Sequence, residues 1–490
     1  MKSDLLLFLP GLVLVGTIVF LFLVEFFGGE KGKEAVPVLG IIGLVLMMIA
    51  NGFQYNLTPI RYFSGMVTFD GMSYFFNYLF GGAALLAILF SLKQKEVVQT
   101  DETSYYTLLI ATTLGMMLLA TSNHFLMLYL SLEFVSVLSY ILTGYVRGSR
   151  RSSEAALKYV IYGGVASGVM AYGFSLLYGL TGAMEFPAIA EYLQNHAVNR
   201  SVLFLSVLLI MAGIGYKIAS FPFQMWCPDV YEGAPTPFTA FLSVGPKAAG
   251  FAILIRFFLT ALTSRGEHGF VDIKFSGWPE MIMMLSVATM TVGNLAAIGQ
   301  KNMKRLLAYS SIAHAGYLLM GFAALNDEAL QAILFYLVVY VIMNLGAFLV
   351  VIVVSHHLDV EELDGYKGLG RRGTLGTLLA LAMSIFLFSL TGIPPFAGFV
   401  GKFYLFGAVI RSGLYGLAIA GVLNSVVSLY YYVRIIKVMY FDPPTDSRPF
   451  PTLVPRHSTI LVGLAFLTLY LGIFWNGLAR WITQSSGLLL

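Results

Sequence analysis

Residues 237–256 read PFTAFLSVGPKAAGFAILIR, a largely apolar run of the ~20 residues that a helix needs to cross a bilayer. Lys247 stands in the middle of this run, directly after Pro246. A charged group at mid-membrane depth costs about 2.5–3.5 kcal/mol on insertion scales, and such groups usually mark ion pathways. The stretch therefore predicts a membrane-spanning helix whose lysine has a function.

The composition of the whole chain supports this interpretation. Of the 490 residues, 58% are hydrophobic and 11% are charged, and the mean hydropathy is +0.81, whereas a soluble domain is about 25% charged. With Cys227 as the one cysteine, neither a disulfide framework nor a cysteine metal cluster is expected. Without an HExxH, P-loop or CxxC motif, metal, nucleotide and iron–sulfur sites are not expected either. The net charge of +4 gives no reason to expect nucleic-acid binding.

Apolar runs of this length recur along the chain and predict an all-α polytopic membrane protein with about fourteen transmembrane helices. Two of the runs, 202–232 and 374–412, are too long for one straight crossing. The predicted spans are 4–26, 35–52, 69–92, 104–121, 123–145, 155–180, 202–232, 237–260, 277–299, 303–323, 329–355, 374–412, 415–440 and 456–481.

Each overlong span contains proline near a lysine. Pro222 follows Lys217 in IGYKIASFPFQMW, and Pro394 and Pro395 precede Lys402 in SLTGIPPFAGFVGKFYLF. Proline inside a helix removes a backbone hydrogen-bond donor, and exposed polar backbone at membrane depth is tolerated only where protein or water satisfies it. We therefore predict that the seventh and twelfth spans (helices 7 and 12 by this count) are broken beside their lysines.

Pro246 predicts a third break, in span 8 beside Lys247. Broken helices in both halves of a chain are typical of transporters built from inverted repeats around a mid-membrane ion site. We predict two inverted repeats of about five helices each, formed by spans 4–8 and 9–13. The predicted division is 1–103 for helices 1–3, 104–260 for the first repeat, 261–440 for the second repeat and 441–490 for helix 14.

Lysine and arginine are distributed unevenly between the two sides of the predicted membrane protein. The loops that follow odd-numbered spans carry more than twice as many of these residues as the opposite side, which includes both termini. Because lysine and arginine accumulate in cytoplasmic loops, both termini are predicted to face away from the cytoplasm.

Apart from Lys304 and Lys437, which lie at span ends and are counted with the loop charges, four lysines lie inside predicted spans. Lys217, Lys247 and Lys402 are well inside, and we favour a functional role for them over a structural one. Lys158 is a few residues from a span end, so a function and snorkelling of the side chain to the interface have equal weight.

Three charged residues near span ends receive a structural interpretation. Arg256 and Arg434 are expected to snorkel to the membrane interface. Asp70 opens the third span and is interpreted as a favourable charge at a helix N-terminus.

Acidic residues are scarcer within the spans. Glu133 lies deep in the fifth span, where an isolated carboxylate would be protonated unless a cation lay close by. Pairing with a buried lysine would make a switch, because separating the two charges favours release of the lysine proton; a static ion pair is the alternative. Glu154, Asp229 and Glu232 lie near span ends and either hydrate an entrance or are solvated helix-end charges.

His314 is central in the tenth span, among Tyr309, Ser310 and Ser311. Because histidine titrates near neutral pH, it suits a proton relay between lysines. A neutral, hydrogen-bonded core histidine is the alternative, and the density of polar neighbours favours the relay.

Three stretches carry a resemblance to a known family. They are FPFQMWCPDVYEGAPTPFTAFLSVGPKAAGF (221–251), KNMKRLLAYSSIAHAGYLLMG (301–321) and GIPPFAGFVGKFYLF (392–406). Together they resemble the subunit N family of proton-pumping NADH:quinone oxidoreductase (respiratory complex I), one of the antiporter-like membrane subunits. The resemblance covers nearly the whole chain. Subunit M of the same superfamily usually has glutamate where Lys402 stands here.

The resemblance implies roles for residues already singled out. Lys217 would be a proton carrier and Glu133 its modulating partner. Lys247 matches the central lysine of span 8 and, with a histidine of span 10, would bridge to Lys402, the exit-side or connecting group. Lys158 and His314 match additional residues of the family's polar axis. From their places near span ends, Glu154 and Asp229 are predicted to support the same proton path.

The resemblance also implies a function and partners. Members translocate protons, coupled to electron transfer to quinone in other subunits, so the chain would be a transport subunit of an oxidoreductase without redox chemistry of its own. No cofactor is expected in this chain; NADH, flavin, iron–sulfur clusters and quinone would bind to partner subunits. Expected partners are a neighbouring antiporter-like subunit, small membrane subunits and lipids, and the expected location is a bacterial inner membrane.

Two alternatives remain open at the level of sequence. One is a subunit of an Mrp-type sodium/proton antiporter, against which the scarcity of deep acidic residues counts weakly. The other is an inert structural subunit of the membrane arm whose buried charges carry no protons.

Overall fold

The computed structural model describes residues 8–55, 60–98, 101–266, 269–444 and 455–486. It is 82% helical, and fourteen helices within these ranges are long and apolar enough to cross a membrane. The prediction of an all-α polytopic membrane protein with about fourteen spans is confirmed. Most predicted span ends lie within a few residues of the observed helix ends.

Nineteen α-helices are assigned in the described ranges. Up to the first break they are α1 (Leu9–Gly29), α2 (Gly32–Gln54), α3 (Gly71–Ser91), α4 (Lys95–Val98), α5 (Glu102–Thr121), α6 (Phe125–Thr143), α7 (Arg150–Thr181), α8 (Phe186–Asn195) and α9 (Arg200–Ile218). The later ones are α10 (Trp226–Gly233), α11 (Thr236–Ala261), α12 (Trp278–Ile298), α13 (Met303–Ala323), α14 (Asp327–Leu358), α15 (Gly373–Thr391), α16 (Ala397–Arg411), α17 (Tyr415–Tyr440), α18 (Pro455–Ile473) and α19 (Asn476–Ser486).

Side-chain caps fix the starts of many of these helices. A cap oxygen accepts a hydrogen bond from a backbone N–H that the first turn leaves without a partner. Asp70 caps α3 in this way, and its own backbone N–H donates to Ser73 Oγ at 2.9 Å, which completes a capping box. The other residues that cap with an oxygen are Asp101, Ser149, Asn199, Asn302 and Asn326.

The chain divides into two compact units. The first comprises 1–219, 233–281 and 482–490. Its centre is α11, which packs against α3, α5, α6, α8 and α9 and whose side chains are almost all buried. Two short antiparallel hairpins belong to this unit: β1 (Ile60–Tyr62) with β2 (Val67–Phe69), and β3 (Thr263–Gly266) with β4 (Gly269–Asp272).

The second unit comprises 220–232 and 282–481. Its buried centre is formed by α13 and α14, and α14 packs against α13, α15, α16 and α18. The predicted four-part division and the inverted relation of the two repeats stay predictions.

The seventh and twelfth predicted spans, 202–232 and 374–412, are broken as predicted. α9 ends at Ile218, Ala219 adopts a left-handed conformation (φ 58°), and the next helix starts at Trp226. α15 ends at Thr391, Gly392 has φ 90°, and the next helix starts at Ala397. Pro222 lies in the first break, and Pro394 and Pro395 lie in the second.

The predicted break at Pro246 is wrong. α11 runs without interruption from Thr236 to Ala261 with this proline inside it. Proline takes away one backbone donor and leaves one carbonyl to be satisfied elsewhere, which neighbouring helices and serine or threonine side chains can do in a tightly packed membrane helix. The tight packing around α11 therefore tolerates the proline.

The last predicted span, 456–481, also differs from the structure. α18 ends at Ile473, and α19 is a separate helix from Asn476. The sequence Asn476–Gly477 interrupts the apolar run, and α19 is more polar than the spans. Ser485 of α19 and Tyr55 at the end of α2 share a hydroxyl–hydroxyl hydrogen bond of 2.6 Å.

Candidate functional site

The lysine of the first broken helix lies beside a polar face of α6. Lys217 is 2% exposed, and its Nζ donates to Ser136 Oγ at 3.2 Å. Glu133 stands one helical turn before Ser136, so the two side chains share a face of α6. The Glu133 carboxylate interacts electrostatically with Lys217, but these two described residues do not form an ion pair within 4.0 Å.

Glu133 itself is poorly compensated within the protein. Its Oε1 atom is buried and receives no hydrogen bond from any described residue. Leaving a polar oxygen without a hydrogen bond in an apolar environment costs free energy. This oxygen is therefore placed to gain from an approaching ammonium group or a proton, as the predicted switch requires.

Tyrosine hydroxyl groups lie between this site and α7. Tyr140 of α6 and Tyr216 of α9 both reach Gly163 of α7, where a methyl group would collide with the Tyr140 hydroxyl and lie 2.8 Å from the Tyr216 hydroxyl. Tyr216 also donates to the backbone oxygen of Tyr159 at 2.9 Å. Glycine at position 163 thus makes room for two hydroxyls beside the Glu133–Lys217 region.

Lys247 lies on the central helix of the same unit and is 3% exposed. Gly250, one turn further along α11, packs closely on α9: a Cβ at this position would lie 2.6 Å from a methyl carbon of Ile218 and 3.4 Å from Lys217 Cγ. Residues three apart share a helix face. The structure therefore brings Lys247 and Lys217 onto the facing sides of two adjoining helices.

The second break provides the partners of Lys402, which is also 3% exposed. Its Nζ donates to the backbone oxygen of Thr391 at 2.8 Å and to Ser425 Oγ at 2.7 Å. Thr391 is the last residue of α15, where carbonyl groups lack helical partners and carry partial negative charge. The ammonium also lies 4.4 Å above the ring of Tyr317, a cation–π contact.

Glycine is required beside this lysine. A Cβ at Gly392 would lie 2.8 Å from Lys402 Cδ, and the backbone there has a positive φ that other residues rarely adopt. Lys402 also borders a cavity of about 270 Å³ between α16 and α17. Its other lining residues include Phe399, Phe403, Phe406, Val422, Val426 and Leu429.

His314 is fully engaged in hydrogen bonds with hydroxyl groups. Its Nδ1 lies 2.6 Å from the Tyr336 hydroxyl and its Nε2 lies 3.3 Å from the Tyr432 hydroxyl, and Tyr432 is in turn hydrogen-bonded to Ser310. The ring of Tyr317 contacts His314 edge to face at 5.7 Å. Tyr317 therefore contacts both His314 and the ammonium group of Lys402.

The remaining predicted residues lie in ion pairs nearer the surface. Lys158 Nζ is 2.7 Å from Glu154 on the same helix, and the two side chains are 38% and 64% exposed. Asp229 and Glu232 both accept hydrogen bonds from Arg305 Nη1, at 2.6 and 2.8 Å. These two acids at the end of α10 are thus held to the start of α13.

With this geometry in place, comparison with known proteins identifies the family. Residues 122–428 match the family described as NADH:quinone oxidoreductase/Mrp antiporter, transmembrane. The chain belongs to this family. It is an integral, multi-pass membrane protein of the antiporter-like type.

Similar proteins extend the match beyond this region to almost the full chain. NADH-quinone oxidoreductase subunit N 2 of Chloroherpeton thalassium is 44% identical, with 98% of this chain and 94% of the relative aligned. NADH-quinone oxidoreductase subunit N of Anaeromyxobacter is also 44% identical, with 96% and 94% aligned. A chain of respiratory complex I from Thermus thermophilus with bound aureothin has a TM-score of 0.80 and 32% identity, covering 96% of this chain and 98% of that chain.

The part of this antiporter-like chain that matches the family contains every predicted proton-path residue. Asp70 lies outside that part, yet it forms a bidentate ion pair with Arg256, which also donates through Nε to the backbone oxygen of Ala120 at 2.8 Å. The expectation that Arg256 snorkels is wrong, because both partners are buried. The expectation that Asp70 is a helix N-terminal charge is confirmed.

Sequence reasoning also missed a buried lysine at a loop. Lys304 lies beside a loop at the start of α13, yet it is 1% exposed and its Nζ lies 2.8 Å from a carboxylate oxygen of Glu361. The backbone N–H of Met303 donates to the backbone oxygen of Glu361 at 2.9 Å, which joins the two loop segments. No local sequence signal distinguishes Lys304 from its exposed neighbours, because its partner is far along the chain.

Proposed function

We propose that this chain is a proton-translocating membrane subunit, subunit N, of an NADH:quinone oxidoreductase. The observation that carries the proposal is the burial of Lys217 and Lys402 beside two broken helices in a chain of this family. Relatives named as subunit N of NADH-quinone oxidoreductase are 44% identical over almost the whole chain. Buried ionisable groups at membrane depth are retained where ions or protons pass.

In the proposed mechanism, Lys217 carries the proton and Glu133 modulates it. A carboxylate that approaches an ammonium group stabilises the charged form of both. In the structure Lys217 rests on Ser136 with Glu133 within electrostatic reach but not in contact, which corresponds to a separated state of the switch. Closing the gap would retain the proton on the lysine, and widening it would favour release.

Onward transfer is proposed to run from Lys217 through Lys247 and His314 to Lys402. The hydrogen bonds of His314 with two tyrosine hydroxyls support this role, because hydroxyl groups can both donate and accept. The carbonyl and hydroxyl acceptors around Lys402 stabilise its ammonium form without a carboxylate. Lys158, Glu154 and Asp229 are proposed to support the path near its entrances.

The proposed assembly places electron transfer in other subunits. NADH, flavin, iron–sulfur clusters and quinone are proposed to bind to partner subunits, since the sequence of this chain provides no motif for them. The partners are proposed to be a neighbouring antiporter-like subunit and small membrane subunits. The excess of lysine and arginine in one set of loops supports an orientation with both termini away from the cytoplasm. The bacterial origin of the relatives supports a bacterial inner membrane as the location.

The test uses the assembled complex in sealed vesicles. Lys217→Ala is expected to lower NADH-driven quinone reduction and proton uptake together, by at least ten-fold, while native gels show normal assembly. The matched control is Lys437→Ala, which removes an exposed lysine at the end of α17 and is expected to leave both rates within two-fold of wild type.

Two outcomes of this experiment would reject the proposal. Normal proton uptake in assembled Lys217→Ala complex would mean that the buried lysine is inert and structural. Uptake that requires sodium, and disappears when sodium is replaced by choline, would instead favour the sodium/proton antiporter function.

A further inference from the structure

Carboxylate groups at both ends of α3 join this helix to both ends of α11, the helix that carries Lys247. Asp70, directly before α3, forms the buried ion pair with Arg256 near the end of α11. Glu96, in the short helix α4 that follows α3, accepts a hydrogen bond of 2.8 Å from the backbone N–H of Thr236, the first residue of α11. The two helices pack against each other and therefore run antiparallel. We call these two interactions the end contacts.

The sequence explains why the start of α11 takes its cap from elsewhere in the chain. N–H groups in the first turn of a helix have no helical partner. Pro235 holds the N-cap position without a side chain that can accept a hydrogen bond, and Pro237 has no backbone N–H to donate. Glu96, 140 positions before Thr236, supplies the acceptor, and a negative charge at a helix N-terminus is favourable. The start of α11 therefore depends on Glu96.

The end contact at the other end of α11 is a buried network. Arg256 is 2% exposed and Asp70 1% exposed. The guanidinium donates to both carboxylate oxygens of Asp70 and to the backbone oxygen of Ala120 in α5. Bidentate pairs of this kind fix geometry as well as charge. All three partners of α11, including Glu96, precede residue 122, where the match to the family begins.

Lys247 lies between the two end contacts, at the point where α11 is weakest. Pro246 directly precedes it inside the helix and removes one backbone hydrogen bond, and helices bend most readily at such positions. Gly250 packs against Ile218 and close to Lys217 Cγ. A small shift or bend of α11 would therefore change how Lys247 faces Lys217.

We propose that Asp70 and Glu96 are positioning residues for Lys247. The end contacts hold α11 in place along its axis and restrict bending at Pro246, so that Lys247 stays opposite Lys217. Both carboxylates act through the helix that carries the lysine. The inference rests on the proposed proton path and adds to it a role for α3 and α4, which lie outside the part of the chain that matches the family.

The test compares two substitutions of Glu96 in the assembled complex. Glu96→Ala removes the acceptor for Thr236, whereas Glu96→Gln keeps an oxygen that can accept. Hydrogen exchange by mass spectrometry reports local opening of α11, and NADH-driven proton uptake is measured per assembled complex in sealed vesicles. Glu96→Ala is expected to speed exchange in the first two turns of α11 at least five-fold and to lower uptake at least three-fold. Glu96→Gln should stay within 1.5-fold of wild type in both measurements.

A second variant tests the other end contact. Asp70→Asn keeps the cap of α3, because asparagine caps helices as well as aspartate does, but it removes the negative charge opposite Arg256. Exchange in the last two turns of α11 is expected to rise at least five-fold and uptake to fall at least three-fold, with exchange at the start of α3 unchanged. Lys95→Ala, at an exposed neighbour of Glu96 in α4, is the matched control and should leave exchange and uptake at wild-type values.

Three outcomes would overturn the proposal. Faster exchange in α11 with wild-type uptake would mean that its position does not matter for Lys247. Reduced uptake without faster exchange, or equal losses of uptake in Glu96→Gln and Glu96→Ala, would mean that the carboxylate acts in another way. If Glu96→Ala does not assemble, Asp70→Asn decides by the same criteria. Failure of the proton path itself would be seen separately, as wild-type uptake by Lys217→Ala.

Discussion

Lys217 and Lys402 are both buried lysines beside a broken helix, but their surroundings differ. Lys217 rests on the Ser136 hydroxyl with the Glu133 carboxylate within electrostatic reach. Lys402 rests on the backbone oxygen of Thr391 and the face of an aromatic ring, and no carboxylate among the described residues pairs with it. One lysine thus has a charged neighbour that can move, and the other has fixed dipoles.

This difference indicates which feature of each site can act as a switch. A helix C-terminus and an aromatic face stabilise an ammonium group by a fixed amount. A carboxylate stabilises it by an amount that varies steeply with distance in a medium of low dielectric. We therefore propose that the Glu133–Lys217 region is the variable element of the path and that Lys402 has a receiving role.

The largest effect is expected from filling the space beside the second lysine. Gly392→Val would place a Cβ 2.8 Å from Lys402 Cδ and impose a positive φ on a β-branched residue, which costs at least about 1–2 kcal/mol. NADH-driven proton uptake in vesicles is expected to fall more than ten-fold. At the corresponding position of the first break, Ala219→Gly fits its positive φ and should retain at least half of the wild-type rate. Equal rates of proton uptake for the two variants would contradict the proposed role of the Thr391 carbonyl as a partner of Lys402.

A smaller effect is expected from removing the movable charge. Glu133→Gln keeps the size of the side chain but cannot stabilise the Lys217 ammonium as a carboxylate does, so proton uptake is expected to fall about five-fold with assembly preserved. Glu328→Gln, in an exposed pair with Arg411, should change the rate less than two-fold, as surface pairs contribute little. If Glu133→Gln pumps at the wild-type rate, the first site has no carboxylate switch.

The smallest effect is expected from the two serine acceptors. Ser136→Ala removes the hydrogen bond from Lys217 but leaves Glu133 within electrostatic reach, so proton uptake is expected to fall about three-fold. Ser425→Ala leaves Lys402 with its carbonyl and ring partners and should stay within 1.5-fold of wild type. If Ser425→Ala lowered proton uptake more than Ser136→Ala, the proposed difference between the Lys217 and Lys402 sites would be contradicted.

Much of the fold follows from local sequence, because each spanning helix is an apolar run with its own ends. The breaks at Pro222 and at Pro394–Pro395 could be predicted because a nearby lysine and an overlong span accompany them. Pro246 shows the limit of this reasoning. A proline decides the path of a helix only when packing does not compensate for the lost donor.

The partners of buried charges could not be predicted in the same way. Arg256 and Asp70 are 186 positions apart in the chain, and neither sequence context shows that the other is its partner. Ser136 likewise has no special motif and is recognised through its contact with Lys217. Sequence identifies which charges need compensation, and the three-dimensional packing decides what supplies it.

In the proposed mechanism, Lys217 acts through a labile proton and not through its positive charge alone. Lys217→Arg tests it, since arginine keeps the charge but does not release its proton in proteins. In assembled complex in sealed vesicles, this variant is expected to lose proton uptake at least ten-fold, while Lys437→Arg remains normal. Proton uptake at the wild-type rate with arginine at position 217 would contradict the account, because a fixed charge would then be sufficient.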